Sequence, residues 1–331
     1  MATDNRAVWI MAPSRIHFGL HDCGYSTDRI FGGVGVSFNG FLTSVEVIKS
    51  KKTKLLFEHN LFLSPRTTED VNELVEKLDK LVGPSNITIK TAAPEHQGFG
   101  SKTTLLLSVA KATVIAHEVD SKYSKDDIIR LVKRGGTSGI GVNSFWTGGI
   151  VADSGHKEEF KNRVFQPSSR RDLVDIPQVV SRVNMPNDWR VSLFVDPLSR
   201  VYEDSTESEI FSNSMPLNDL ENLRPISITY HGIIPSVLEK DIKRFSKAIY
   251  DMNHSGMKQI ELGLQTEASK IFLEAAWDLH YAAGVSSFGP TIYIIHENGN
   301  PLVVRVKKIA RSNNIDYLGT FEFNNNGAEL H

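Results

Sequence analysis

Cysteine is almost absent from the 331-residue chain: Cys23 stands alone, so no disulfide can form within it, and a reducing compartment is expected. Long apolar runs are missing as well. No stretch reaches the roughly 18 apolar residues of a membrane span, and the opening MATDNRAVWIMAPSR has too short an apolar run for a secretory signal, so a cytoplasmic protein is expected. Net charge is nearly zero, with 37 Lys and Arg against 39 Asp and Glu. That balance gives no general pull toward nucleic acid or anionic membrane, and any attraction for phosphate must be local. Internal repeats, low-complexity tracts, zinc-ligand spacings and nucleic-acid modules are also lacking, as is the Gly-x-x-x-x-Gly-Lys-Ser/Thr spacing of a Walker loop.

What remains is an ordinary globular composition, 40% hydrophobic and 23% charged, long enough for about two domains. Its organising stretch is PEHQGFGSKTTLLLSVAKATVIA, from Pro94 to Ala116. Here Gly98-Phe99-Gly100-Ser101 forms a tight loop feeding a helix, and Thr103 to Ala116 carries only one charge, Lys111. Such a helix is buried on nearly every side. Its N-terminus, with unpaired N–H groups and the positive end of the dipole, makes a site for phosphate or diphosphate. Lys102 and two threonines follow the loop directly and add a cation and hydroxyls.

Around this stretch, Ala7 to Ala12 reads as a strand interrupted by Pro13. Arg15 to His21 then alternates, with Ile16, Phe18 and Leu20 on one face and Arg15, His17 and His21 on the other. The second face is cationic, and a solvated outer face is one reading of it. Residues 28–35 read as a glycine-rich loop. Thr67 to Val82 has helical spacing, with Thr67 and Asp70 resembling a capping box, and Ser124 with Asp127 caps a second short helix. A further glycine-rich stretch, Arg134-Gly135-Gly136-Thr137-Ser138-Gly139-Ile140-Gly141, is hard to explain by packing, although glycine and serine also make flexible joints. The polar run from Lys157 to Asp188, with Arg170-Arg171-Asp172, reads as a crossing between domains 1–188 and 189–331. In the second half, helices are expected over Ser236 to Met252 and Glu267 to Ala283. A third glycine and serine loop, Gly284 to Pro290, precedes a strand, Leu302 to Val306 reads as another strand, and Asn324 to His331 reads as a loose tail.

The three glycine-rich stretches, in this order, resemble the motifs of the GHMP superfamily of galactose, homoserine, mevalonate and phosphomevalonate kinases, over nearly the whole chain. The resemblance implies an α+β, two-domain GHMP-kinase-like fold, with a ribosomal protein S5 domain 2-like N-terminal domain and a ferredoxin-like C-terminal domain. Two departures bear on chemistry. The kinase loop reads Gly-Leu-Gly-Ser-Ser, where the last serine helps to hold magnesium, and Lys102 is a poor magnesium ligand. Many of the kinases place a catalytic aspartate where Gly141 stands, and glycine cannot accept a hydroxyl proton.

One branch, the β-ribofuranosylaminobenzene 5′-phosphate synthases, is more similar. The matching runs are Arg15-Ile16-His17-Phe18-Gly19-Leu20-His21-Asp22, Arg29 to Gly35, Arg134 to Gly141, Gly155-His156 and Ser286-Ser287-Phe288-Gly289-Pro290. Synthases usually carry glycine at Lys102 and often tryptophan at Phe288. The reaction so implied joins 4-aminobenzoate, or a related aromatic acid, to phosphoribosyl pyrophosphate and releases carbon dioxide and pyrophosphate, in tetrahydromethanopterin biosynthesis. That chemistry suits catalytic parts for Lys102, Arg15, His17 and Arg134, with Arg15 or His17 as the cation that holds the departing carboxylate. Phosphate is expected on Gly98, Gly100, Ser101, Lys102, Thr103, Gly136, Thr137, Ser138, Ser286 and Ser287. Substrate contacts are expected from Arg29, Gly33 and His156. Magnesium is the expected cofactor, with Asp22, Asp28 and Asp153 as candidate ligands, and a homodimer with no nucleic-acid or membrane partner is the implied assembly. An ATP-dependent small-molecule kinase using some other acid, and a phosphate-ligand sensor without chemistry, are the alternatives.

Overall fold

The computed structural model describes residues 6–24, 26–157, 176–200, 204–215 and 217–331. The Arg170-Arg171-Asp172 crossing lies outside the described residues. The chain begins with β1 (Val8–His21), β2 (Arg29–Ile30), β3 (Gly32–Lys49), β4 (Lys54–Phe57), α1 (Pro65–Val82), β5 (Ser85–Thr91) and α2 (Ser101–Ala116). It continues through α3 (Lys125–Val132), α4 (Ile140–Thr147), β6 (Ile150–Asp153), β7 (His156–Lys157), β8 (Val179–Val183) and β9 (Trp189–Val195). Helices α5 (Asp204–Ser214), α6 (Asp219–Ile228), α7 (Ile234–Glu239), α8 (Ile242–Asn253), α9 (Gly256–Gly263) and α10 (Glu267–Asp278) follow. The last elements are β10 (Ala282–Val285), β11 (Thr291–Glu297), α11 (Leu302–Ser312), β12 (Asp316–Glu322) and β13 (Glu329–Leu330).

A seven-stranded sheet runs β13-β1-β3-β5-β4, and β6 and β8 extend it from the other half of β3. The length of β3, 18 residues, lets its far end pair with β5 while its near end pairs with β6. A four-stranded antiparallel sheet, β10-β11-β9-β12, forms the second body.

Helix α2 lies across β1 and β3, flanked by α1 and α3. Twelve of its 16 residues are buried, as a helix without an exposed polar face requires. Beyond its first turn the helix carries one charge, and that charge is placed on rings: the Lys111 ammonium stands 4.8 Å from the Trp146 centroid and 5.7 Å from that of Phe145. A second core joins the sheets, with Phe18 of β1 at 5.3 Å from Tyr293 of β11 and 6.1 Å from Phe245 of α8.

Several expectations are corrected. Strand β1 is continuous, with register shifts between Ala12 and Ser14 and between His17 and Gly19. Those shifts break the alternation, and both His17 and His21 are buried, so the cationic face is not solvated. The stretch read as a loop at 28–35 is β2 and the start of β3. Helix α1 starts earlier, with Ser64 as N-cap accepting from the Thr67 N–H and Pro65 in the first turn, so no Thr67–Asp70 capping box forms. The box at Ser124 and Asp127 does form. A left-handed Lys240 splits the expected helix at 236–252 into α7 and α8, and α10 ends at Asp278, before β10. Residues 302–306 belong to helix α11, where Val306 and Ala310 pack into the core beside the second sheet.

The C-terminus is not loose. Leu330 pairs with Ile10 and Glu329 with Met11, and the buried Asn324 Oδ1 accepts from the Asn326 N–H at 3.0 Å and the Gly327 N–H at 2.6 Å. Asn324→Ala removes the acceptor for two backbone donors, and the unfolding free energy is expected to fall by about 1–3 kcal/mol. A urea midpoint that drops with an unchanged slope confirms this. An unchanged midpoint contradicts it.

Candidate active site

Between β5 and α2 the backbone turns through Gly98 at φ +80° and Gly100 at φ +72°, a region in which a side chain is strained. Space also demands glycine at 98, because a Cβ there would lie 2.1 Å from the Ser286 carbonyl oxygen. The Gly98 carbonyl collects two donors, the Arg15 guanidinium and the Ser286 hydroxyl, the latter at 2.7 Å. The Arg15 N–H donates to the Phe99 carbonyl at 3.1 Å, and the His17 N–H to Ser286 Oγ at 3.2 Å. One junction therefore ties β1, the first glycine loop and the third loop together; the third loop is shorter than expected, 286–290, because Gly284 and Val285 belong to β10. Gly100 is the N-cap of α2 and supplies no side chain to it, which leaves the first-turn N–H groups open to a ligand.

These groups face a cavity of about 480 Å³. Of the predicted residues, Arg15, His17, Lys102 and Arg134 line it, with Gly98, Gly100, Ser101 and Thr103 from the first loop. Thr137 and Ser138 of the second loop and Ser287 of the third line it as well. Arg134 Nε donates to Thr103 Oγ1 at 2.9 Å, which fixes the guanidinium over the first turn of α2. His17 Nε2 and Ser138 Oγ lie 3.1 Å apart, linking β1 to the second loop. Phe288, Leu20 and Phe211 give one part of the wall an apolar surface.

His17 is not a cation. Burial, and then the neighbouring charges of Arg15 and Lys258, push its pKa well below the ordinary histidine value, so at neutral pH only Arg15 of the two can face a carboxylate with charge. The Lys102 ammonium contacts the carboxylate of Asp70 of α1, which is not among the residues lining the cavity. Ser286 lies one layer behind the wall, and Gly136 is not among the lining residues.

The expected substrate residues Arg29, Gly33 and His156 do not reach this cavity. Arg29 donates to Ser154 Oγ at 3.2 Å and the Gly155 carbonyl at 3.3 Å, and His156 pairs with Ile30 between β2 and β7. Gly33 pairs with Asp153 and lets His17 come close, since a Cβ there would lie 3.3 Å from His17 Nε2. The three expected magnesium ligands are separated as well. Asp22 accepts from the N–H groups of Gly24, Ser26 and Thr27 and so organises a turn. Asp28 is exposed, and Asp153 is buried beneath the N-cap of α4, where a Cβ at Gly139 would lie 2.6 Å from its Oδ2. Among the described residues no three His, Cys, Asp or Glu side chains gather as a metal would require. A protein-built magnesium site of Asp22, Asp28 and Asp153 does not fit this structure.

Two lining carboxylates carried no readable signal in the sequence. Glu95 accepts from Ser64 N–H and Thr67 Oγ1 and so holds the start of α1 at the cavity. Glu261 of α9 forms a buried ion pair with Lys258 at 2.6 Å, the two side chains being 2% and 1% exposed. An i,i+3 Lys–Glu pair ordinarily marks a solvated helix face, which is why this one does not stand out in the sequence.

The chain shares its fold with solved homoserine and phosphomevalonate kinases. Homoserine kinase from Cytophaga hutchinsonii superposes with a TM-score of 0.69 over 100% of this chain and 99% of its own, at 14% identity. Phosphomevalonate kinase from Streptococcus pneumoniae superposes with a TM-score of 0.68 over 96% and 99%, at 12% identity. At such identities the likeness concerns the fold alone. No family model matches the chain. Two curated proteins go further: beta-ribofuranosylphenol 5′-phosphate synthase of Methanothermobacter thermautotrophicus is 30% identical over 294 residues, and that of Methanocaldococcus jannaschii is 31% identical over 303. Each match covers 86% of this chain and 88% of the relative. The chain belongs to the beta-ribofuranosylphenol 5′-phosphate synthase family, and is therefore an enzyme rather than a sensor.

Asp153 generates a stability prediction. Burial raises its pKa from 3.8 to about 7, against the lowering effect of the Gly155 and Gly33 N–H groups and of Lys125. The folded state thus binds the proton more tightly than the unfolded chain, so this contribution is full below pH 3.8 and is lost as pH rises through about 7. Wild type is expected to lose stability relative to Asp153→Asn across that window. Urea unfolding at pH 5 and pH 8 checks it: a gap that widens toward pH 8 is the expected result, and parallel behaviour contradicts it.

Proposed function

We propose that the cavity binds 5-phosphoribosyl diphosphate and joins its anomeric carbon to the ring of a 4-aminobenzoate or 4-hydroxybenzoate, with release of diphosphate and carbon dioxide. The observation that carries this reading is the arrangement at the α2 N-terminus, where open N–H groups meet Arg15, Lys102 and Arg134 without a kinase-type acid. At the kinase position, a Cβ on Gly141 would lie 3.5 Å from Thr103 Cγ2, so an aspartate there would have faced this same turn. Its absence removes the base that a hydroxyl-phosphorylating enzyme uses but leaves intact what a departing diphosphate needs. The names of the relatives describe a ribofuranosyl 5′-phosphate joined to a phenol, which supports a hydroxylated acceptor beside the aminated one.

In this reading the ring carbon bearing the carboxylate attacks the anomeric carbon as the bond to diphosphate breaks. The ring then expels carbon dioxide, and the electron pair of that bond restores aromaticity. Arg15, neighbouring the loop and permanently charged, is assigned to the acceptor carboxylate, because the neutral His17 cannot serve. Lys102 and Arg134, with the α2 N–H groups, are assigned to the diphosphate. Magnesium is proposed as the counter-ion that the diphosphate brings with it. No helix among the described residues is long and apolar enough to cross a membrane, and a cytoplasmic homodimer is the proposed assembly.

Pure protein with magnesium, 5-phosphoribosyl diphosphate and carboxyl-labelled 4-aminobenzoate or 4-hydroxybenzoate is expected to release labelled carbon dioxide. Release no higher than that of Lys102→Ala and Arg134→Ala contradicts the reading, and magnesium-dependent phosphoryl transfer from ATP favours the kinase. One charge-assisted contact is worth about 1.5–3 kcal/mol, so Lys102→Ala is expected to lower turnover roughly tenfold to hundredfold, and substrate binding less. Unchanged turnover in Lys102→Ala and Lys102→Gly would confine this lysine to its pair with Asp70.

A further inference from the structure

The cavity is not uniform. Four of its lining side chains, Arg15, Arg66, Lys102 and Arg134, are cationic and two, Glu95 and Glu261, are acidic. Glu95 is committed to Ser64 and Thr67 at the start of α1. Glu261 makes no such backbone bond; its side-chain partner is Lys258, on its own helix and fully buried. Burying this pair is costly, and Met257 on the same helix joins an apolar cluster with Leu20, Phe211 and Phe288. Those three side chains are also the apolar wall of the cavity. A carboxylate has thus been placed one helical turn from the residue that packs on the apolar wall of a mostly cationic site.

We infer that Glu261 accepts a hydrogen bond from the para substituent of the aromatic acceptor, whose ring lies against Leu20, Phe211 and Phe288. The assignment rests on the synthase reading and names the part of the acceptor that the site recognises. With its carboxylate-bearing carbon toward the glycine loop, the ring presents its opposite end, the hydroxyl or amine, to α9. When that carbon attacks the anomeric centre, the ring becomes cationic and the positive charge concentrates on the para oxygen or nitrogen. A hydrogen bond from that group to a carboxylate strengthens as the charge develops, so it lowers the barrier more than it tightens ground-state binding. Loss of carbon dioxide returns the electron pair to the ring, and the para group keeps its proton. Lys258 holds Glu261 in place and balances its charge in the acceptor-free enzyme.

The test uses the full chain saturated with inorganic diphosphate and titrated calorimetrically with benzoate, 4-hydroxybenzoate and 4-aminobenzoate. Wild type is expected to bind the para-substituted acids about tenfold more tightly than benzoate. Lys258→Met with Glu261→Leu, which removes both charges together, is expected to abolish that preference while leaving affinity for 5-phosphoribosyl diphosphate unchanged. Glu261→Gln alone is expected to lower turnover tenfold or more with little change in acceptor KM. Equal binding of all three acids by a wild type that still releases carbon dioxide overturns the assignment and spares the synthase reading. Loss of phosphoribosyl diphosphate affinity in the double variant, with the para preference kept, overturns it in favour of ribose hydroxyls on Glu261. No binding of any acid and no carbon dioxide overturns the synthase reading itself. If the variants fold poorly, the wild-type comparison of benzoate with its para-substituted forms still decides.

Discussion

The carbonyl of Gly98 is the point on which the site depends. It is exposed to two donors by a left-handed turn, and those donors come from opposite parts of the chain: Arg15 from β1, in the large sheet, and Ser286 from the loop between β10 and β11, in the small one. A backbone acceptor shared in this way sets the glycine loop relative to both bodies at once. Because the loop ends at the first turn of α2, the same junction aims the helix N-terminus into the cavity. Preorganisation of this kind matters most where charge develops during a reaction, since donors already in place need no rearrangement.

Around that junction the molecule buries an unusual amount of polarity. Burial lowers the pKa of His21 to about 4 and pushes that of His17 well below the histidine range, and Asp153 rises toward neutrality. His21 bonds to Thr229 at 2.8 Å, and the His17 ring meets Ser138. Asp153 sits under the turn that presents Thr137 and Ser138. Arg15 and His17 of β1 thus line the site, with His17 neutral, while His21 is turned to Thr229, and a ligand meets the permanent guanidinium charges of Arg15 and Arg134.

Part of this was legible in the sequence for a plain physical reason. A helix with one charge among its residues from Thr103 onward has nowhere to lie except in the core, and two glycines before it announce a backbone that approaches something closely. The three glycine stretches were legible in the same way, and they do converge. Other features depend on partners that local patterns do not show. Residues 302–306 include three valines and read as a strand, yet Val306 and Ala310 recur at helical spacing against the second sheet, and tertiary packing overrides propensity. The alternation of Arg15, His17 and His21 gave no hint of the register shift between His17 and Gly19, or of α4 packing against β1. Asp22, Asp28 and Asp153 look alike in one dimension, and only the fold separates a turn residue, an exposed side chain and a buried prop. Glu261 was invisible because what distinguishes it is burial, and Glu95 because its partners Ser64 and Thr67 lie about thirty residues earlier in the chain.

The central claim is that the glycine loop and the first turn of α2 hold the diphosphate of the donor substrate. A crystal structure of the protein with 5-phosphoribosyl diphosphate tests it most directly. The account predicts diphosphate oxygens within hydrogen-bond distance of the N–H groups of Ser101 to Thr103, with Arg134 beside them and the anomeric carbon toward Leu20, Phe211 and Phe288. Diphosphate bound away from that turn, or the ribose 5′-phosphate in its place, would contradict it.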